Sequence, residues 1–150
     1  MEPTIKRLTR ADVSCLDRAA ADVFDAAIQP DRLEAFLAEP RHLLVVAIVD
    51  GAVVGQARAI VHLSPDGPDE LYIDNMGVTP ALRRRGIGGR MLDEILRWGR
   101  ERGCDYAWLG TEIENEPARA LYESRGGQGA AMVMFAYDIA PSRPSGGPAT

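Results

Sequence analysis

Cysteine, histidine and aromatic residues are scarce in this sequence, and each shortage narrows the kinds of protein it encodes. Only two cysteines, two histidines and 6% aromatic residues occur among 150. Cys15 and Cys104 lie far apart, in segments that read as helix and strand. They predict buried free thiols rather than a disulfide framework or a metal site, so no metal is expected.

Long apolar runs are missing as well. No stretch approaches the roughly 20 apolar residues that cross a bilayer. The first residues, Met1-Glu2-Pro3-Thr4, lack the basic start and apolar core of a signal peptide. These features predict a cytoplasmic protein that binds no membrane.

Positive charge is in the minority. The formal net charge is −5, which disfavours a general affinity for nucleic acid and suits a cationic acceptor better. The expected partner is a small cationic amine, with no nucleic acid, and a homodimer is left open. The length of 150 residues suits one domain with a sizeable core.

The hydrophobic pattern predicts alternating strands and helices. The expected strands are 4–8, 43–49, 52–63, 70–78, 104–110 and 131–139. The expected helices are one capped by Thr9 whose apolar stripe reaches Val23 and Phe24, one from Pro30 to Pro40, and two at 86–102 and 117–124. Asp50-Gly51 is a hairpin signal. Together they predict a mixed α/β sandwich in one domain over 1–140, with a disordered tail at 141–150.

The most informative stretch is 71–89, in which a strand runs through an arginine-rich turn into an amphipathic helix. At a helix start, successive backbone N–H groups have no intrahelical acceptor and form a site for anions. Glycines at 86, 88 and 89 let a phosphate approach the backbone closely, and arginines at 83–85 add positive charge. This combination predicts a pyrophosphate site.

Two familiar phosphate loops do not fit this turn. A Walker A loop ends in Gly-Lys-Ser/Thr, but Gly88-Gly89 is followed here by Arg90-Met91. A dinucleotide fingerprint needs a third glycine where Met91 stands.

What remains is Arg83-x-x-Gly86-x-Gly88, preceded by Val78-x-Pro80. This pattern resembles motif A of the GNAT acetyltransferases. The segment 115–122, Asn-Glu-Pro-Ala-Arg-Ala-Leu-Tyr, is similar to a later motif of the same family. Over 71–139 the sequence most resembles the small type I aminoglycoside 3-N-acetyltransferases.

This resemblance implies the GNAT fold, a central mixed and mostly antiparallel sheet flanked by four helices, and acetyl-coenzyme A as cofactor. The pantetheine arm would lie where strands 70–78 and 104–110 splay apart. The implied cofactor-binding residues are Met76, Gly77, Val78, Arg83, Arg84, Arg85, Gly86, Ile87, Gly88, Gly89, Asn115, Ala118 and Tyr122. Tyr122 would also be the catalytic acid.

The catalytic base is where this sequence departs from the resembled branch, which carries a strand carboxylate at the position of Asn75. Asp74 is adjacent, but neighbouring side chains of a regular strand face opposite ways. A bulge in this strand would change that parity. Glu112 is the other candidate base. Residues expected to contact the acceptor are Asp74, Asn75, Glu112 and Glu114, in an acidic groove that also includes Asp66, Asp69 and Glu70.

The predicted function is acetyl transfer to a primary amine of a polycationic small molecule. The resemblance implies the 3-amino group of an aminoglycoside, and hence antibiotic resistance. Two alternatives stay open. In the first, the enzyme acetylates a polyamine, an amino-acid-like metabolite or a protein N-terminus instead. In the second, the chain is a sensor that binds acetyl-coenzyme A without turnover, and the amide at Asn75 favours this alternative.

Overall fold

The computed structural model describes residues 2–141. The described chain falls into two units, one ending at Gly110 and one beginning at Thr111, and each is considered by itself. The single domain expected over 1–140 stays a prediction. Most of the expected disordered tail, residues 142–150, lies outside the described residues.

The first unit is built on a five-stranded sheet. Its strands are β1 (Thr4–Arg7), β2 (His42–Val49), β3 (Ala52–His62), β4 (Glu70–Val78) and β5 (Tyr106–Trp108), in the order β1-β2-β3-β4-β5. Neighbours are antiparallel except β4 and β5, which are parallel. The β2–β3 turn is the expected hairpin, since Asp50 and Gly51 adopt φ of 50° and 76°.

Helices cover both faces of this sheet. The helix α1 (Pro30–Ala38) and a 310 helix (Arg10–Arg18) pack with a cluster around Leu44, Val46 and Val53. The helix α2 (Ile87–Glu101) packs on the other face, burying the predicted stripe of Ile87, Met91, Ile95 and Trp98. In the second unit the one described helix is α3 (Glu116–Ser124). The predicted mixed fold, with a mostly antiparallel sheet, is confirmed.

The first helix is shorter than its apolar stripe predicts. The stripe reaches Val23 and Phe24, but the 310 helix ends at Arg18. The backbone then turns to the sheet, because Ala20 N donates to Val53 O at 2.8 Å and so leaves the helical pattern. Val23 is still buried, from a non-helical segment.

The prediction of a strand at 131–139 is wrong for this structure. The strand predicted at 104–110 is present but shorter, as β5. No strand is assigned anywhere in 128–139. Side chains there are exposed, Met132 by 73% and Phe135 by 77%. An alternating sequence supplies only a preference for extended backbone, whereas a strand also needs a neighbour to share its hydrogen bonds.

Both cysteines are free thiols, but they are half-buried rather than buried. Burial raises the pKa of Cys15 and of Cys104 above the ordinary thiol value. Cys104 follows α2 in a loop and not in a strand. None of the helices in the described part of the chain is long and apolar enough to cross a membrane.

Candidate functional site

The C-terminal half of β4 has a strand neighbour on only one edge within the described first unit. The β4–β5 ladder ends at Tyr72, whereas the β3–β4 ladder continues to Val78. Thr79 N donates to Val54 O at 2.8 Å. Because backbone groups alternate along a strand, Gly77 also points its N–H and C=O at β3, and Met76 and Val78 point theirs at the free edge. That edge can pair with an extended ligand.

The N-terminus of α2 leaves its first N–H groups without intrahelical acceptors. Its first hydrogen bond runs from Arg90 N to Gly86 O at 3.1 Å, so the N–H groups of Ile87, Gly88 and Gly89 are available. No side chain among residues 2–141 caps this end, and the first turn of the helix holds no acidic residue. The cap residue Gly86 has φ of 77°, which glycine adopts without strain. These features suit an anion such as a pyrophosphate.

The arginine turn is held against the end of β4. Arg83 Nε donates to Val78 O at 3.1 Å. Arg84 adopts a left-handed φ of 65°, an uncommon conformation for a residue with a Cβ, and such strain often marks binding sites. The side chains of Arg84 and Arg85 are exposed and form no ion pair with any described residue. The turn therefore keeps positive charge free beside the α2 N-terminus, as a phosphate-bearing cofactor requires.

The bulge raised by the sequence analysis is present in β4. Arg58 pairs with Asn75 and Ala59 with Ile73, which leaves Asp74 as the extra residue. The single N–H of Arg58 Nε is shared between the two carboxylate oxygens of Asp74, at 3.0 and 3.1 Å. Asn75 contacts Gln56, which is two residues from Arg58 on β3. Asp74 and Asn75 therefore share one face of the sheet, and Asp74 is engaged in an ion pair.

Two residues that the sequence analysis missed contact Asn75. Its Nδ2 donates to Asp25 Oδ2 at 3.2 Å, and its Oδ1 accepts from Gln56 Nε2. Asp25 lies in the loop 19–29, which follows β4 closely, because Thr79 Oγ1 donates to Ala21 O at 3.3 Å. A polar Gln56 within an apolar strand was the available signal. The sequence around Asp25 gives none.

The remaining predicted site residues belong to the second unit. Asn115 caps α3, since its Oδ1 accepts from Ala118 N at 3.2 Å. Tyr122 is half-buried on that helix, and burial raises the pKa of its hydroxyl above the ordinary value of 10.0. Glu112 and Glu114 are exposed in the segment before α3. Their roles in catalysis and binding stay predictions.

Comparison with known proteins places this geometry in a family. Residues 9–127 match the Acetyltransferase (GNAT) family. N-alpha-acetyltransferase RimI of Mycobacterium tuberculosis is 36% identical over 127 residues, covering 83% of this chain and 78% of RimI. Aminoglycoside N(6')-acetyltransferase type 1 of Salmonella typhimurium is 26% identical over 112 residues, covering 72% of this chain and 71% of that protein.

Solved structures of the same fold include an aminoglycoside acetyltransferase, meta-AAC0020, from an uncultured soil metagenomic sample. Its complex with trehalose superimposes with a TM-score of 0.81 at 20% identity, covering 92% of this chain and 97% of that one. AAC(6')-Iy in complex with a bisubstrate analog, CoA-S-monomethyl-acetylneamine, gives 0.76 at 20% identity, covering 93% and 100%.

The family and the cofactor expected from the sequence are confirmed, whereas the 3-N branch is not shown. The free edge of β4 and the uncapped start of α2 fit acetyl-coenzyme A, which is the acetyl donor. The match covers well over half of the chain, and it spans every strand of the sheet except β1. The chain belongs to the GNAT family of acetyltransferases.

Proposed function

We propose that this protein transfers an acetyl group from acetyl-coenzyme A to a primary amine of a polycationic small molecule. The observation that carries the proposal is the uncapped, glycine-rich start of α2, tied through Arg83 to the free edge of β4. An anion site beside an unpaired strand edge suits a ligand with a pyrophosphate at one end and an amide-bearing arm at the other.

In this proposal the α2 turn binds the pyrophosphate and β4 binds the pantetheine arm. The N–H groups of residues 87–89 and the guanidinium groups of residues 83–85 neutralise phosphate charge. Because Met76 and Val78 direct their backbone groups to the free edge, the N–H and C=O of Met76 and the N–H of Val78 pair with the arm, while Val78 O accepts from Arg83. Gly77 lies between these two residues on the same stretch of β4. Asn115, with Ala118 beside it, offers its Nδ2, since Oδ1 already caps α3.

The cofactor supplies the acetyl thioester, and Tyr122 supplies the proton that the leaving sulfur requires. The Tyr122 hydroxyl is protonated at neutral pH, because the ordinary tyrosine pKa is already 10.0 and burial raises the pKa of this hydroxyl further. Asp74 is a weak choice of base because Arg58 holds its carboxylate. Glu112 and Glu114, both exposed, orient the ammonium groups of the acceptor.

For the acceptor we propose the 3-amino group of an aminoglycoside, with antibiotic resistance in the cytoplasm as the consequence. Aminoglycoside acetyltransferases among the relatives and a net charge of −5 support a polycationic acceptor. A second candidate is a protein N-terminus, because the 36% identity to RimI exceeds that to the aminoglycoside enzyme.

A thiol-release assay tests the proposal directly. Purified protein and acetyl-coenzyme A are offered gentamicin and related aminoglycosides, spermidine, and a peptide with a free N-terminus. We expect turnover with an aminoglycoside, and NMR of the product to place the acetyl group on the 3-amino nitrogen. Turnover with the peptide alone would make a protein N-terminus the acceptor in place of an aminoglycoside. Tight binding of acetyl-coenzyme A without acetyl transfer to any amine would favour a sensor.

A further inference from the structure

We propose that Asp25 is the carboxylate that binds the ammonium group of the acceptor and removes its proton, with Asn75 and Gln56 as positioning residues. The inference rests on the proposed N-acetyltransferase function. Its starting point is the 3.2 Å hydrogen bond from Asn75 Nδ2 to Asp25 Oδ2. Asn75 itself cannot accept a proton, but it holds a group that can.

The direction of this hydrogen-bond chain is set by its acidic end. An ionised carboxylate only accepts hydrogen bonds, so Asn75 must turn its NH2 group towards Asp25. Its carbonyl oxygen then faces Gln56, which must in turn present its own NH2 group. Reversing either amide would set two oxygens against each other. The three side chains therefore have one consistent arrangement.

That arrangement leaves Gln56 Oε1 buried and without a hydrogen-bond partner among the described residues. Gln56 is only 2% exposed, and it is the one polar side chain among the buried residues of the described chain. A buried acceptor without a partner costs stability, and an apolar side chain would avoid that cost. Its presence is explained if Gln56 serves to orient Asn75, and through Asn75 to orient Asp25.

Asp25 is also the carboxylate near the β4 bulge that remains available. Asp74, in the same bulge as Asn75, has both oxygens engaged by Arg58. Asp25 is exposed, and no cation in the described part of the chain pairs with it. One of its oxygens is held by Asn75, and the other can receive an ammonium group.

The proton balance is complete with the groups already named. The acceptor arrives as an ammonium ion and gives one proton to the Asp25 carboxylate, which later releases it to solvent. The free amine then forms the C–N bond to the acetyl carbon as the C–S bond breaks. Of the two protons left on nitrogen, one leaves for solvent and the other stays on the product amide. The leaving sulfur takes a proton from the Tyr122 hydroxyl, which solvent then reprotonates.

The first test compares two substitutions in the same loop. Asp25→Asn removes the charge but keeps an oxygen that can accept a hydrogen bond from Asn75. The melting temperature of the variant should therefore equal that of the wild type. We expect kcat/KM for the acceptor to fall by about 100-fold, the size typical for losing a positioned base, while KM for acetyl-coenzyme A is unchanged. The control Asp22→Asn removes the same charge at a left-handed position that asparagine tolerates, and should keep activity.

The second test exchanges the side chains of Asp25 and Asn75. Asp25→Asn combined with Asn75→Asp keeps the net charge and the carboxylate–amide pair but moves the carboxylate onto β4. We expect the paired variant to recover at least about tenfold over Asp25→Asn, which a purely structural role would not produce. An Asp25→Asn variant as active as Asp22→Asn, or a paired variant no better than the single one, would overturn this inference alone. A wild-type protein that acetylates no amine would refute the proposed function and this inference with it.

Discussion

Gly77 lies directly beneath the carbonyl of Val23: a Cβ built on Gly77 would lie 3.1 Å from Val23 O. The loop that carries Asp25 therefore crosses β4 at a position where any other side chain would push it away. The same loop is tied to β4 on both sides of this contact, by the hydrogen bonds of Thr79 and Asn75. Backbone packing at Gly77 thus sets where Asp25 lies.

Gly77→Ala should displace this loop by a few tenths of an ångström. We expect a loss of about 1 kcal/mol in the free energy of unfolding, as for mild overpacking, and a raised KM for the acceptor. Urea denaturation and steady-state kinetics measure the two effects. Gly110→Ala is the matched control, because a Cβ there meets nothing within 4 Å. Equal behaviour of the two variants would show that the contact does not constrain the loop.

Gly88→Glu should abolish binding of acetyl-coenzyme A and leave the fold intact. The substitution brings a side chain and a negative charge into the first turn of α2, where both oppose a pyrophosphate. We expect the affinity for coenzyme A in calorimetry to fall by at least about 100-fold. Gly129→Glu adds the same group where a Cβ has open space, and should bind normally. Unchanged affinity in Gly88→Glu would remove the turn from the cofactor site.

Tyr122→Phe should lower kcat by roughly ten- to a thousand-fold with little change in cofactor affinity, as expected for losing a positioned acid. Tyr137→Phe, at a side chain that is 78% exposed, is the control. A fully active Tyr122→Phe variant would leave this residue with a packing role only.

The pH dependence of stability gives a separate check on Tyr122. Burial raises its folded pKa above the ordinary value of 10.0. The associated stabilisation is therefore complete below about pH 10 and is lost as pH rises through the folded pKa. Chemical denaturation between pH 8 and 11 should show that loss in the wild type and a smaller one in Tyr122→Phe. Parallel curves would mean that the hydroxyl is not buried in solution.

Local patterns determined most of the fold, and so most of it could be predicted. The stripe on α2, the Asp50-Gly51 turn and the bounds of β4 each depend on neighbouring residues, and each is confirmed. The predicted length of the first helix was too great, because its apolar stripe continues into a loop that packs on the same core. Periodicity reports which residues are buried, not which backbone conformation buries them.

The candidate site likewise has one part that local sequence predicts and one part that it does not. The turn at 83–89 has a local signature, because glycine and arginine must stand at fixed offsets from a helix start. The contact between Asp25 and Asn75 joins residues 50 positions apart. No spacing rule predicts such a pair, since it depends on where a loop without regular structure crosses the sheet. Gln56 shows how it could have been found: a buried polar side chain needs a partner.

The last prediction concerns the acceptor and tests its charge. If Glu112 and Glu114 orient the ammonium groups of the acceptor, salt should screen that attraction. Between 50 and 500 mM salt the Debye length falls from roughly 14 to roughly 4 Å. The KM for a polycationic acceptor should therefore increase over this range. Glu112→Gln should raise KM and weaken this salt dependence, while Glu34→Gln, exposed on α1, should leave both unchanged. If Asp25 carries the proton transfer, as proposed above, kcat should change less than KM in Glu112→Gln. A KM that is independent of salt, with Glu112→Gln kinetically equal to Glu34→Gln, would show that these carboxylates do not bind the acceptor, and it would favour an acceptor with a single amine, such as a peptide N-terminus.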